Sequence, residues 1–205
     1  MKHLRIYFPN HAIFGEEKGF WGGNSRNGVI VVDPVDGSRN CFSGIPFWCI
    51  SIAILYPGEI DINNVKIGVI WSPILHECFI AEKNKGAYLI TTDKVRRIPY
   101  LTPILGYSAI DVTMTKDDFK FLGLLKKISA LRHIGSIALS LAYTAAGRLL
   151  ATISFGSKIR IIDILAGSLI VREAGGIFKV LKKHHDYISF IATLKKEVIN
   201  EIFSF

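Results

Sequence analysis

The sequence predicts a layered α+β domain, and three observations carry that prediction. Short β-branched apolar runs joined by tight turns fill residues 1–105, helix-period segments alternate with strands in residues 106–205, and no linker separates the halves. Residues 28–33 (Gly-Val-Ile-Val-Val-Asp) read as a buried strand ending on an acid, which the segment Pro34 to Gly37 then breaks. Residues 47–55 and 65–72 follow as apolar strands, and 76–82 and 87–91 continue the sheet across the turn at 83–86. Connections this short make the first half antiparallel. In the second half Phe119, Leu122, Leu125 and Ile128 recur at helical spacing within 117–128, with Thr115 as the N-cap. Residues 136–146 form a Leu-rich helix stopped by Gly147, 149–154 a strand, and 163–174 a helix ended by Gly175 and Gly176. Strands at 176–180 and 189–193 and a helix at 195–202 close the chain, which is expected as one domain, 1–205.

Half of the 205 residues are hydrophobic and 20% are charged, a globular balance that excludes a disordered chain. The formal charge of +8 favours anionic partners without choosing among phosphorylated metabolites, nucleic acid and acidic lipid. Its densest cluster is only Lys179, Lys182 and Lys183 with two histidines, so nucleic acid is not the expected partner. The three cysteines, Cys41, Cys49 and Cys78, lie in or beside apolar segments without a Cys-x-x-Cys pair. They read as free thiols in a reducing compartment. The run Ile45 to Tyr56 is too short to span a bilayer, which takes about 20 residues. Residues 134–155 read instead as a buried helix turning into a strand. A soluble, cytoplasmic protein with no membrane partner is expected.

Three acidic clusters stand against these apolar runs: Gly15-Glu16-Glu17, Asp33-Pro34-Val35-Asp36-Gly37-Ser38, and Ile162-Asp163. An unpaired carboxylate beside a buried run is costly, so a pair such as Asp33 and Asp36 needs a proton, a basic side chain or a metal. Hard oxygen ligands suit Mg²⁺, with Mn²⁺ as a substitute. Pro34 fixes the chain as it leaves the strand, so that the two carboxylates converge with the Val35 carbonyl beside them. Gly37 lets the backbone approach a ligand, and its amide with that of Ser38 can form an anion nest. A lone Asp-x-x-Asp-Gly is equally an ordinary turn with Ser38 as a cap.

The company of the motif decides between these. Asp33-Pro-Val-Asp-Gly-Ser-Arg-Asn40, then Gly44-Ile-Pro-Phe47 and Ile50-Ser-Ile-Ala53, resembles the first signature of the inositol monophosphatase family. Ile162-Asp-Ile-Leu-Ala-Gly-Ser-Leu-Ile-Val-Arg-Glu-Ala-Gly-Gly176 resembles its second, and His11-Ala-Ile-Phe-Gly-Glu-Glu17 resembles its Gly-Glu-Glu loop. The resemblance implies an α-β-α-β sandwich, usually dimeric, that hydrolyses a phosphomonoester with metal-activated water. It implies Glu16, Asp33, the Val35 carbonyl, Asp36 and Asp163 as metal ligands. It gives Gly37 and Ser38 the phosphate, Ser38 also the water, and Gly135 and Ser136 the substrate hydroxyls. Residues 150–163 resemble archaeal enzymes acting on inositol phosphate and fructose 1,6-bisphosphate, where Arg160 would face a phosphate or else serve in a salt bridge.

The chain departs from the pattern at Ser154, where an acid is usual, at Ile162, where Trp is frequent, and at Met1–Asn10. There the family's pair of N-terminal helices and its mobile loop are expected to be missing. Slow turnover and an uncovered apolar sheet face are the expected consequences. A phosphatase of inositol monophosphate or fructose 1,6-bisphosphate is the leading expectation. A nucleotide 3′-phosphatase, or a weakened relative that binds RNA or protein, is the alternative.

Overall fold

The computed structural model describes residues 2–104, 109–114, 130–155, 159–184 and 187–203, and the helix expected at 117–128 lies outside them. Two sheets carry the chain. The larger has the strand order β2-β1-β3-β4-β5-β6-β7-β8. Its strands are β1 (His11–Gly15), β2 (Gly19–Trp21), β3 (Asn24–Asp36), β4 (Cys49–Leu55), β5 (Val65–Ser72), β6 (Glu77–Glu82), β7 (Gly86–Ile90) and β8 (Val95–Ile98). The smaller has the order β10-β9-β11-β13-β12, built from β9 (Ile110–Met114), β10 (Leu131–Arg132), β11 (Ala151–Phe155), β12 (Ile177–His184) and β13 (Tyr187–Thr193). The five described helices are α1 (Lys2–Tyr7), α2 (Ser38–Phe42), α3 (Ile137–Ala146), α4 (Ile161–Glu173) and α5 (Lys196–Phe203).

Alternation along the strands explains the layering. In β4 every second residue, Cys49, Ser51, Ala53 and Leu55, is buried, and β5 and β6 bury Ile70, Phe79 and Ala81 on the same side. That face meets α3 and α4, whose small and aliphatic residues fill the space to Phe190 and Ala192 of the second sheet. Two glycines set the closeness. A Cβ on Gly68 of β5 would stand 2.7 Å from the Ala166 carbonyl oxygen, and one on Gly167 would stand 2.7 Å from Leu141 Cβ. The far face of the second sheet (Val112, Ile153, Ile191) packs on Val198 of α5. The far face of the first carries α1, with Leu4 and Phe8 over Ile13, Ile30 and Val32. Across β4 to β8 that face runs through the cross-strand row Ile50, Trp71, Cys78, Ile90 and Val95, of which Trp71, Ile90 and Val95 are exposed.

The expected elements that fall on described residues are present within a few residues of their positions, with two corrections. The first half is not wholly antiparallel, because β1 and β3 run parallel. β2 doubles back along the outer edge of β1, so the next reversal brings β3 onto the other side of β1 in the same direction. Nor does Pro34 break the strand. β3 continues to Asp36 through a register shift between Asp33 and Asp36, a bulge where a residue without an N–H is tolerated.

Candidate active site

Four acids arrive at the seam between the layers from three elements, the end of β1, the end of β3 and the start of α4. Glu16 follows β1, and its N–H donates to the Val32 carbonyl at 3.2 Å, which extends the β1–β3 pairing to the edge of the site. Asp33 sits in the bulge of β3, 4% exposed, with Oδ1 accepting the Val35 N–H at 3.0 Å. Asp36 closes β3 and is tied to the start of α3: its Oδ2 accepts the Ser136 hydroxyl at 2.5 Å and the Ala138 N–H at 2.8 Å. Asp163 lies in the first turn of α4, where its Oδ2 accepts the Arg160 N–H at 2.9 Å.

Burial and crowding raise the pKa values of Asp33, Asp36 and Asp163. Asp33 is pushed well above the ordinary carboxylate range by desolvation, then by Glu16 and Asp36 beside it. Asp36 is raised to about 6 by burial, although Ser136 and Ala138 hold its charged form. Asp163 is raised by burial against the opposing pull of Arg160. The Arg160 guanidinium contacts Glu16 and, at 3.0 Å, Oδ1 of Asp163. One partly exposed cation does not offset four clustered acids. The donor set, all carboxylate oxygen, therefore fits a hard dication. Among the described residues no three acids yet point at one centre.

The remaining expected residues fall around these. Gly37, at φ +89, turns the chain from β3 into α2, and Ser38 opens α2 exposed to solvent. Gly135, at φ +82, lines a cavity of about 380 Å³ with Asp36, Arg39, Asn40, Thr113, His133, Ile137, Ile159 and Asp163. Ser136 is 2% exposed, and its hydroxyl is engaged with Asp36 while also accepting the Leu139 N–H as the N-cap of α3. It supports an acid, and the cavity wall at this point is Gly135. Arg160 faces a second cavity of about 440 Å³ with Glu16, Ile162, Lys183 and Tyr187. Ser154 is fully buried in β11.

Sequence reasoning passed over Asn40, although it sits inside the quoted first motif. Its Nδ2 donates at 2.7 Å to the carbonyls of both Phe47 and Ile134, clamping α2 to the loop before α3. Asp111 was missed too. It is 1% exposed, and its Oδ1 takes the Ile134 N–H at 2.7 Å, so the same loop is held from the β9 side. Arg39 lies in the same motif and was passed over as well, whereas Thr113 and His133 carried no local signal at all.

A two-sheet sandwich with acids gathered at the helix-layer seam defines an α+β protein of the sugar- and inositol-phosphatase type of fold. The sequence model of the inositol monophosphatase family matches residues 1–199, and the chain belongs to that family. It is 31% identical over 210 residues to the Nus factor SuhB of Pasteurella multocida, covering 97% of this chain and 76% of that protein. The crystal structure of the extragenic suppressor protein SuhB of Bartonella henselae superposes with a TM-score of 0.82 at 30% identity, over 98% of this chain and 82% of that one. An inositol monophosphatase–fructose 1,6-bisphosphatase superposes with a TM-score of 0.80 at 27% identity, over 98% of this chain and 79% of its own.

Proposed function

We propose that the chain is a Mg²⁺-dependent phosphomonoesterase for a small phosphorylated metabolite of the inositol monophosphate or fructose 1,6-bisphosphate kind. The observation that carries this reading is the gathering of Glu16, Asp33, Asp36 and Asp163 at one seam, with burial and mutual repulsion leaving the cluster short of positive charge. These four and the Val35 carbonyl would hold the metal, Mn²⁺ serving in place of Mg²⁺. Bound there, the metal supplies an activated water and charge neutralisation at the phosphate. The chain's own residues bind and orient. The amides of Gly37 and Ser38 receive phosphate oxygens, the Ser38 hydroxyl aligns the attacking water, and Gly135 borders the hydroxyl-bearing end of the substrate. Support for a phosphatase also comes from the name of the bisphosphatase structure above. A cytoplasmic homodimer is part of the proposal and rests on the family resemblance.

A nucleotide 3′-phosphatase shares every element of this reading except the substrate. A second reading, binding of RNA or protein, draws on two observations. One is the name Nus factor carried by the Pasteurella relative, and the other is the exposed Lys179, Lys182 and Lys183 along the edge strand β12. Nucleic acid is therefore restored to the candidate partners, against the expectation from scattered charge. Among the described residues no helix is long and apolar enough to cross a membrane. Phosphate release with Mg²⁺ across inositol phosphates, sugar bisphosphates and nucleotide 3′-phosphates tests the first reading, and absence of turnover on all of them overturns it. Steep salt-dependent RNA affinity without turnover is the result that favours the second.

A further inference from the structure

We infer that Arg160 is a built-in cation that competes with the metal for Glu16 and Asp163 and must swing aside before both carboxylates can serve as ligands. The inference rests on the metal-site reading above. Its basis is the way one side chain joins two elements. Nη2 of Arg160 donates to Oε1 of Glu16, which lies 144 residues away in sequence, and at 3.0 Å to Oδ1 of Asp163. Nε approaches Oδ2 of Asp163 at 3.4 Å, and that same oxygen accepts the Arg160 backbone N–H at 2.9 Å. Both oxygens of Asp163 are thus engaged by a single residue. The two acids are turned onto the guanidinium, in keeping with the absence, among the described residues, of three acids aimed at one centre.

A guanidinium cannot shed its charge in a protein, so it cannot coexist with a dication at the same oxygens by titrating. It must move. The backbone is anchored, by the Asp163 contact and by a β-bridge to Tyr187, so the side chain alone has to rotate. Room for it exists in the 440 Å³ cavity that Arg160 already faces, bordered by Tyr187 and Lys183. Without metal, Arg160 neutralises part of the cluster. With metal, that stabilisation is exchanged for ligation, so the apparent metal affinity is set by the difference. This is a device for holding metal occupancy down until free cation is plentiful.

The test is Mn²⁺ binding to the full chain, measured by calorimetry without substrate, together with unfolding temperatures with and without Mn²⁺. Arg160→Met should bind Mn²⁺ roughly tenfold more tightly than the native chain, equivalent to ~1.4 kcal/mol. Its metal-free form should unfold at lower temperature, and saturating Mn²⁺ should close most of that gap. Arg160→Lys, which keeps the charge but loses the fork, guards against a Met variant that does not fold, and should also bind more tightly than the native chain. Equal or weaker Mn²⁺ affinity in the variants overturns the inference while leaving the metal site standing. No Mn²⁺ binding in any of the proteins overturns both.

Discussion

Asp36 and Ser136, 100 residues apart, meet at 2.5 Å, and through that bond the last residue of β3 and the N-cap of α3 become one structure. The hydroxyl donates to Oδ2 while the same oxygen accepts the Ala138 N–H from the first turn of α3. The positive end of the helix therefore lies against the acid. Ser136→Ala should cost about 2 kcal/mol, combining a lost cap of ~1 kcal/mol with a weakened bond to a charged group. It should also weaken Mg²⁺ binding. Thermal unfolding and metal titration measure both; an unchanged Mg²⁺ affinity would show that the bond serves only the helix.

Asp33→Asn and Asp163→Asn should each abolish Mg²⁺-dependent phosphate release while leaving the circular dichroism spectrum intact. Each removes a charged oxygen donor from a site proposed to bind a dication. A variant that kept more than about a tenth of the native rate, a barrier change below ~1.4 kcal/mol, would remove that residue from the ligand set.

For Ser38, exposed at the start of α2, the hydroxyl and the backbone amide are assigned different tasks. Ser38→Ala should lower kcat and leave KM nearly unchanged, since the amide that meets phosphate remains. Steady-state kinetics decide it, and a loss confined to KM would reduce the hydroxyl to a ground-state contact.

Metal affinity should rise with pH. Asp36 is protonated below about 6, and Asp33 is raised further, so Mg²⁺ must displace protons in acid solution. Affinity measured by calorimetry should climb through pH 6 and continue above it, with proton release visible as a dependence of the heat on buffer. The sign for metal-free stability is the reverse. A carboxyl whose folded-state pKa is raised binds more protons folded than unfolded, so Asp36 contributes stability near pH 4 that is lost as pH rises toward 6. A flat affinity profile between pH 5 and pH 7 would contradict the crowding of these acids.

Gly68 packs its backbone against α4, where a Cβ would stand 2.7 Å from the Ala166 carbonyl oxygen. Gly68→Ala should destabilise the protein by ~1–3 kcal/mol, as overpacking does. Denaturant unfolding measures the change, and a variant as stable as the native chain would mean that α4 can shift off the sheet at no cost.

The sequence by itself determined the two halves, most strands and helices, and the order of the acidic motifs. Alternation in β4 and the caps of α3 and α4 are local properties, written within a few residues of where they act. The same holds for Asp33-Pro34-Val35-Asp36, whose spacing already brings two acids to one strand end. Only the tertiary structure decided what those acids meet. The bulge that carries β3 past Pro34 depends on pairing with β4, and the return of β3 alongside β1 depends on the path taken by β2. Asn40 finds Ile134, Asp36 finds Ser136 and Arg160 finds Glu16 across 94, 100 and 144 residues. Such contacts have no period and no fixed spacing. They arise because two buried sheets force polar groups at their shared helix layer to find partners, and which partner each finds is settled by packing.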